Sequence, residues 1–180
     1  MVRSLVLVCT LLLVSFPLSA QSPVTLDLGL GGGVSLPTGD LSDSSKTGYH
    51  AGGKLRIGGL LPFNIVASGM YNSLPEKSTD KSDNQVILGA GVEYAIPSAG
   101  VQPYFGADVL YINFNNEGSG TSSFNRGGLG IGAGVEFTIP AFGSFDTSVK
   151  YQFLNLMGKE TGEATLSQIA ATVTLMFGML

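Results

Sequence analysis

The sequence predicts an all-β protein, an eight-stranded antiparallel up-and-down transmembrane β-barrel, on three observations. From residue 24 onward apolar and polar side chains alternate with a period of two, which marks strands with one face in oil and the other in polar surroundings. The connections between these segments are of two kinds, short and long, and the kinds alternate strictly along the chain. The chain is also oily without any long apolar run beyond its N-terminus. Hydrophobic residues make up 44%, charged ones 12% and the mean hydropathy is +0.32, against roughly 25% charged in ordinary soluble domains. A transmembrane helix needs about 20 consecutive apolar residues, so the oil must be carried on strands.

Residues 1–20 read as a secretory signal peptide. Arg3 gives the positive start, "LVLVCTLLLVSF" is an apolar segment too short to span a bilayer, and Ala20 supplies a small residue at the cleavage point. Cys9, the one cysteine, lies inside this segment. Residues 21–180 form the barrel domain, and they carry neither a disulfide framework nor a thiolate metal site.

Strands are expected at 24–36, 48–60, 63–73, 85–96, 101–113, 126–139, 144–155 and 166–178. The first sets Val24, Leu26, Leu28, Leu30 and Val34 against Thr25, Asp27 and glycines. The second sets Tyr49, Leu55 and Ile57 against Lys54 and Arg56, and the third places Phe63 and Tyr71 on its uncharged face. In "LGAGVEYAIP" the row Leu88, Ala90, Val92, Tyr94 and Ile96 opposes Gly89, Gly91 and Glu93. The fifth carries Phe105, Val109 and Tyr111 opposite Gln102, Tyr104 and Asp108. In the sixth, "IGAGVEFTIP" repeats the fourth, with Phe137 on the apolar row and Arg126, a run of glycines and Glu136 on the other. The seventh opposes Phe145, Val149, Tyr151 and Phe153 to Asp146 and Lys150, and the eighth keeps the alternation through Val173, Leu175 and Phe177.

Tight turns fall at "LPF" (61–63), "PSAG" (97–100) and "PAFG" (140–143), and polar loops at 37–47, 74–84, 114–125 and 157–165. All loops therefore emerge at one end and all turns at the other, the organisation of outer-membrane barrels. The aromatics Tyr49, Phe63, Tyr71, Tyr94, Phe105, Tyr111, Phe137, Phe145, Tyr151, Phe153 and Phe177 fall on uncharged faces, mostly near strand ends. Two girdles flanking an aliphatic band are what a lipid-facing barrel requires. Tyr104 and Phe114 depart from this rule. An eight-strand closure leaves an interior only wide enough for side chains, so inward charges must pair. The expectation is a plug in which Asp27, Glu93, Asp108, Glu136 and Asp146 meet Lys54, Arg56, Arg126 and Lys150.

Other chemistries find less support. The net charge of −4 and pI of 4.8 argue against nucleic acid as a partner. The glycines of "GLGIGAGVE" continue at period two and Pro140 follows, whereas a dinucleotide cradle needs a helix after them. His50 is the only histidine, with Ser42, Ser44 and Ser45 near it in sequence. It is the one starting point for a catalytic reading, although alternation points it inward. No cofactor fingerprint or metal site is visible, and the loops lack the Arg and Trp anchors of binding hot spots.

The signal peptide, the eight alternating strands and segments such as "VQPYFGADVLY" (101–111) and "LGAGVEYAIP" (88–97) resemble the OmpA/OmpX-like small outer-membrane barrels over essentially the whole mature chain. The resemblance implies the outer membrane of a Gram-negative bacterium, contact with its lipid, and the barrel assembly machinery as a partner during insertion. It also implies a structural or surface-interaction role without catalysis, the loops being the surface offered to an extracellular partner. Two departures stand out: the chain ends after one barrel's length, without the family's wall-binding domain, and "GML" follows Phe177. The alternatives are a lipid A-modifying barrel enzyme centred on His50 and a secreted lipocalin-like cup, in which the apolar rows would point inward.

Overall fold

The computed structural model describes residues 24–59, 63–78, 80–98, 100–116 and 122–179; the proposed signal peptide lies outside them. Eight strands, β1 (Thr25–Gly39), β2 (Gly48–Gly58), β3 (Asn64–Pro75), β4 (Ser82–Ala95), β5 (Val101–Asn116), β6 (Ser122–Ile139), β7 (Gly143–Met157) and β8 (Leu166–Gly178), form a closed barrel in sequence order. Every neighbouring pair is antiparallel, and β1 closes on β8. A four-residue helix, α1 (Leu41–Ser44), sits in the first loop.

The ladder fixes the tilt. From Gly33 the pairing runs through His50, Asn72, Gln85 and Phe114 to Phe124 on β6. In the other direction it runs through Thr172 and Ser148 to Gly134 on the same strand. The two paths miss by ten residues, which is the shear of the barrel. With strand rise and spacing of about 3.3 and 4.8 Å, that shear over eight strands gives a tilt of about 40°.

The apolar rows face outward. Leu88, Val109, Ile131 and Val149 are each more than half exposed, while Glu93, Arg56 and Asp146 on the alternate positions are buried inside. A lipocalin-like cup needs the reverse. Unpaired backbone groups in hydrocarbon cost several kcal/mol each, and this closed ladder leaves no sheet edge to incur that cost.

At the loop end the strands run longer than the sequence suggested. The segment 114–125, expected to be a loop, is largely a continuation of the β5–β6 ladder, with Asn113 paired to Asn125, Phe114 to Phe124, Asn115 to Ser123 and Asn116 to Ser122. Residues 37–39, 74–75 and 82–84 are likewise strand. The physical reason is a reversal of sidedness. Above the aliphatic band the outer face no longer meets lipid, so Asn115, Ser123 and Asn125 are exposed there, while Phe114 and Ile112 turn inward. A window that lost its outward oil looked like a loop and was still a strand.

That inward oil forms a core. Leu41, Leu74, Ile87, Leu110, Ile112, Phe114 and Leu154 pack together in the loop-side half of the lumen, with Met70, Phe124 and Leu166 against them. Phe114 stacks on Phe124 at 4.7 Å between ring centroids. Leu41, carried by α1, lids the cluster from the first loop.

Candidate functional site in the barrel lumen

Toward the turn side the lumen changes from apolar to ionic. Arg56 on β2 is the hub: its Nε donates to Glu93 at 3.2 Å, its Nη2 to Asp146 at 2.8 Å, and its Nη1 to Glu136. Lys54, two residues along the same face, reaches Glu93 at 2.7 Å and Asp146 at 2.8 Å. The Tyr104 hydroxyl donates to the second oxygen of Asp146 at 2.6 Å, and its ring lies 4.8 Å from the Lys54 ammonium. Ser144 donates to Glu136. Each strand contributes through alternation alone, and the shear brings β2, β4, β5, β6 and β7 together at one level. A separate pair, Lys150 with Asp108, lies above this layer on β7 and β5.

The glycine run of β6 is the mould for these groups. A Cβ on Gly134 would come within 2.5 Å of the Tyr104 ring, and one on Gly132 within 2.6 Å of the Lys150 stem. A Cβ on Gly130 would collide with the Asp108 carboxylate. Period-two glycine here leaves space for ionic side chains arriving from the neighbouring strands.

Two residues of the expected network lie elsewhere. Arg126 meets none of the inner carboxylates; its guanidinium forks onto Glu163 at 3.0 and 3.1 Å and reaches Glu160 at 3.7 Å, at the loop end. It sits ten residues from Glu136 along one strand, too far for a shared layer. Asp27 is on the inner face opposite Arg56 in register, yet among the described residues no cation lies within ion-pair distance of it. Among the described residues the lumen therefore holds five carboxylates, Asp27, Glu93, Asp108, Glu136 and Asp146, and three cations, Lys54, Arg56 and Lys150. The surplus sits at the turn-side mouth.

Sequence reasoning missed an amide cluster beside the apolar core. Asn72 donates to Gln85 at 3.1 Å and Gln168 at 3.0 Å, and Gln168 donates to Gln152 at 2.7 Å, all four fully buried. The signal was present: these amides stand on the inward rows, but nothing in a single strand says that they converge. His50 is buried between Ser35, 2.9 Å from its Nδ1, and Thr172, 3.0 Å from its Nε2. The serines near it in sequence turn elsewhere: Ser42 to Gly39, Ser44 to Leu41 and Ser45 to Asp83. No carboxylate orients the imidazole in these contacts, so the nucleophile–base–acid relay of a hydrolase is not assembled there.

The outer face holds the aromatics. Tyr94 packs on Phe105 at 5.4 Å near the turns, and Tyr151 meets Phe153 edge-on at 4.9 Å near the loops. Tyr49, Tyr71, Tyr111, Phe137, Phe145 and Phe177 are exposed on the same face, and Phe63 immediately precedes β3.

The fourth loop is fastened over the rim. Asn155 donates to Glu163 at 2.9 Å and to Ala164 at 2.7 Å, and Asp40 of the first loop accepts from the Thr165 amide at 2.9 Å. Hydrogen bonds from Arg126 hold the Glu163 carboxyl down to about 2, from an ordinary 4.5. A depressed folded-state value means that the stabilisation is complete above pH 4.5 and fades as pH falls through 2. Amide exchange of residues 160–165 should therefore accelerate between pH 5 and 2, after correction for intrinsic rates. Glu163→Gln should show the faster exchange already at pH 7; unchanged exchange in that variant would mean the clasp does not hold the loop.

The fold is shared with solved membrane barrels. The crystal structure of Neisserial surface protein A (NspA) superposes with a TM-score of 0.65 at 16% identity, covering 87% of this chain and 100% of that one. The N-terminal β-barrel domain of Pseudomonas aeruginosa OprF gives 0.54 at 15% identity, covering 85% and 97%. No curated protein matches the chain in sequence. The model of the outer membrane protein beta-barrel domain, however, matches residues 6–177. With an outward oil band, a closed eight-strand ladder and that match over nearly its whole length, the protein belongs to the outer-membrane β-barrel family.

Proposed function

We propose that the protein is a closed, non-conducting barrel of the Gram-negative outer membrane, delivered by the signal peptide at 1–20, whose role is structural or surface-interacting rather than catalytic. The observation that carries this reading is the filling of the lumen: an apolar core under Leu41 with an amide cluster beside it, and an ion-pair layer toward the turns. Open aqueous channels go with about 16 strands. Outer-membrane lipid covers the aliphatic band, and the assembly machinery inserts the chain. The fastened loops around 40–47, 76–78 and 158–165 are the surface an extracellular partner would meet. In planar bilayers the purified protein should give no steady unitary conductance; regular open steps in the wild type would overturn the closed-lumen reading.

The membrane face has its own test. Val109 is exposed on β5, between Ala90 and Leu129 in the ladder. Val109→Arg should cost about 2–4 kcal/mol in lipid, as an arginine on the lipid face near the midplane does. Unfolding in liposomes, read by the gel shift between folded and boiled protein, measures it. A neutral outcome would mean that this face does not meet hydrocarbon.

A further inference from the structure

Between the apolar core and the ionic layer the lumen keeps a cavity of about 50 Å³. Its polar lining includes Lys54, Lys150, His50, Ser148, Thr172 and Thr174, and no carboxylate is among its described lining residues. We propose that this chamber binds one small monovalent anion of halide size, a site that lies beyond the structural role above.

The donor arrangement carries the proposal. An ammonium has three N–H donors and no acceptor. Lys54 donates to Asp146 and the Tyr104 hydroxyl and lies 2.7 Å from a Glu93 oxygen, so it offers the chamber charge more than a bond. Lys150 gives one to Asp108, and its remaining donors have no protein partner among the described residues. The carboxylates that balance both lysines are not part of the chamber wall, and neither are Asp27 and Glu136 at the mouth. His50 is already held on both ring nitrogens and Ser148 is bonded to the Tyr104 hydroxyl, which leaves the Thr174 hydroxyl to turn toward a guest. Hydroxyls both donate and accept, so what favours an anion is the wall's two ammonium groups facing the chamber with no carboxylate among its described lining residues. The volume is several times the roughly 10–15 Å³ that one water requires, enough for a halide with a water or two beside it.

The test uses the whole mature chain in detergent. Crystals grown in bromide should show an anomalous peak in the chamber next to Lys150 Nζ; water density without such a peak would overturn the proposal. At constant ionic strength, replacing gluconate with chloride should raise the unfolding midpoint in a saturating manner. Lys150→Met should lose that halide response whatever its own midpoint, and a response that survives intact would move the site elsewhere. Identical wild-type midpoints in chloride and gluconate would also count against the site. Should the variant fail to fold, the bromide map of the wild type decides alone.

Discussion

Arg56→Ala should unfold far below the wild-type urea midpoint, at a cost of about 3–5 kcal/mol, the range for breaking a buried ion pair by removing one partner. Lys77→Ala, on an exposed loop, should stay within about 0.5 kcal/mol. Among the described residues the guanidinium is the only group that touches Glu93, Glu136 and Asp146 together. Without it Glu93 and Asp146 share Lys54, Glu136 is left with the Ser144 hydroxyl, and Asp146 and Glu93 are 1% and 2% exposed. Arg56→Lys should recover only part of the loss, because an ammonium does not reproduce the planar guanidinium fork that meets Glu93, Asp146 and Glu136. A second change isolates the cause: Glu136→Gln in the Arg56→Ala background removes one stranded charge and should restore some stability. Midpoints for Arg56→Ala and Lys77→Ala that coincide would show that the ionic layer carries no such load.

The membrane-embedded half of the barrel was legible in the sequence because lipid imposes a strict rule on one face. Where Leu88, Val92 and Tyr94 must meet acyl chains, Gly89, Gly91 and Glu93 can only point inward, and period two identifies both rows. The pairing of charges was not legible. Which acid meets which base depends on the ten-residue shear, a property of closure that no single strand encodes. Arg126 and Glu136 share a row on β6, yet one clasps a loop and the other joins the ionic layer. The loop-side core was hidden for a different reason. Oil occupies both faces where Ile87 and Leu110 lie beside Leu88 and Val109, and beyond Tyr111 it stays only inside, so Ile87, Leu110, Ile112 and Phe114 stand on the rows that carry charge lower down. The two aromatics that broke the girdle rule, Tyr104 and Phe114, were the trace of this: both are inward, one over the Lys54 ammonium and one in the core.

The reversal makes a second large effect predictable from one strand. Phe105 and Phe114 both belong to β5, nine positions apart and on opposite faces. Phe105 is 53% exposed on the lipid side, whereas Phe114 is 3% exposed in the core. Phe114→Ala should cost about 3–5 kcal/mol, because the stack on Phe124 is lost and the surrounding Leu74, Ile112 and Leu154 can collapse only partly into the gap. Phe105→Ala leaves no cavity, since acyl chains fill the vacated space, and its loss should be the smaller one. Paired unfolding curves in the same liposomes compare the two directly. An ordering in which Phe105→Ala is the more damaging would place the core outside the barrel and the lipid within it, against the sidedness on which the plug, the chamber and the loop lid all depend.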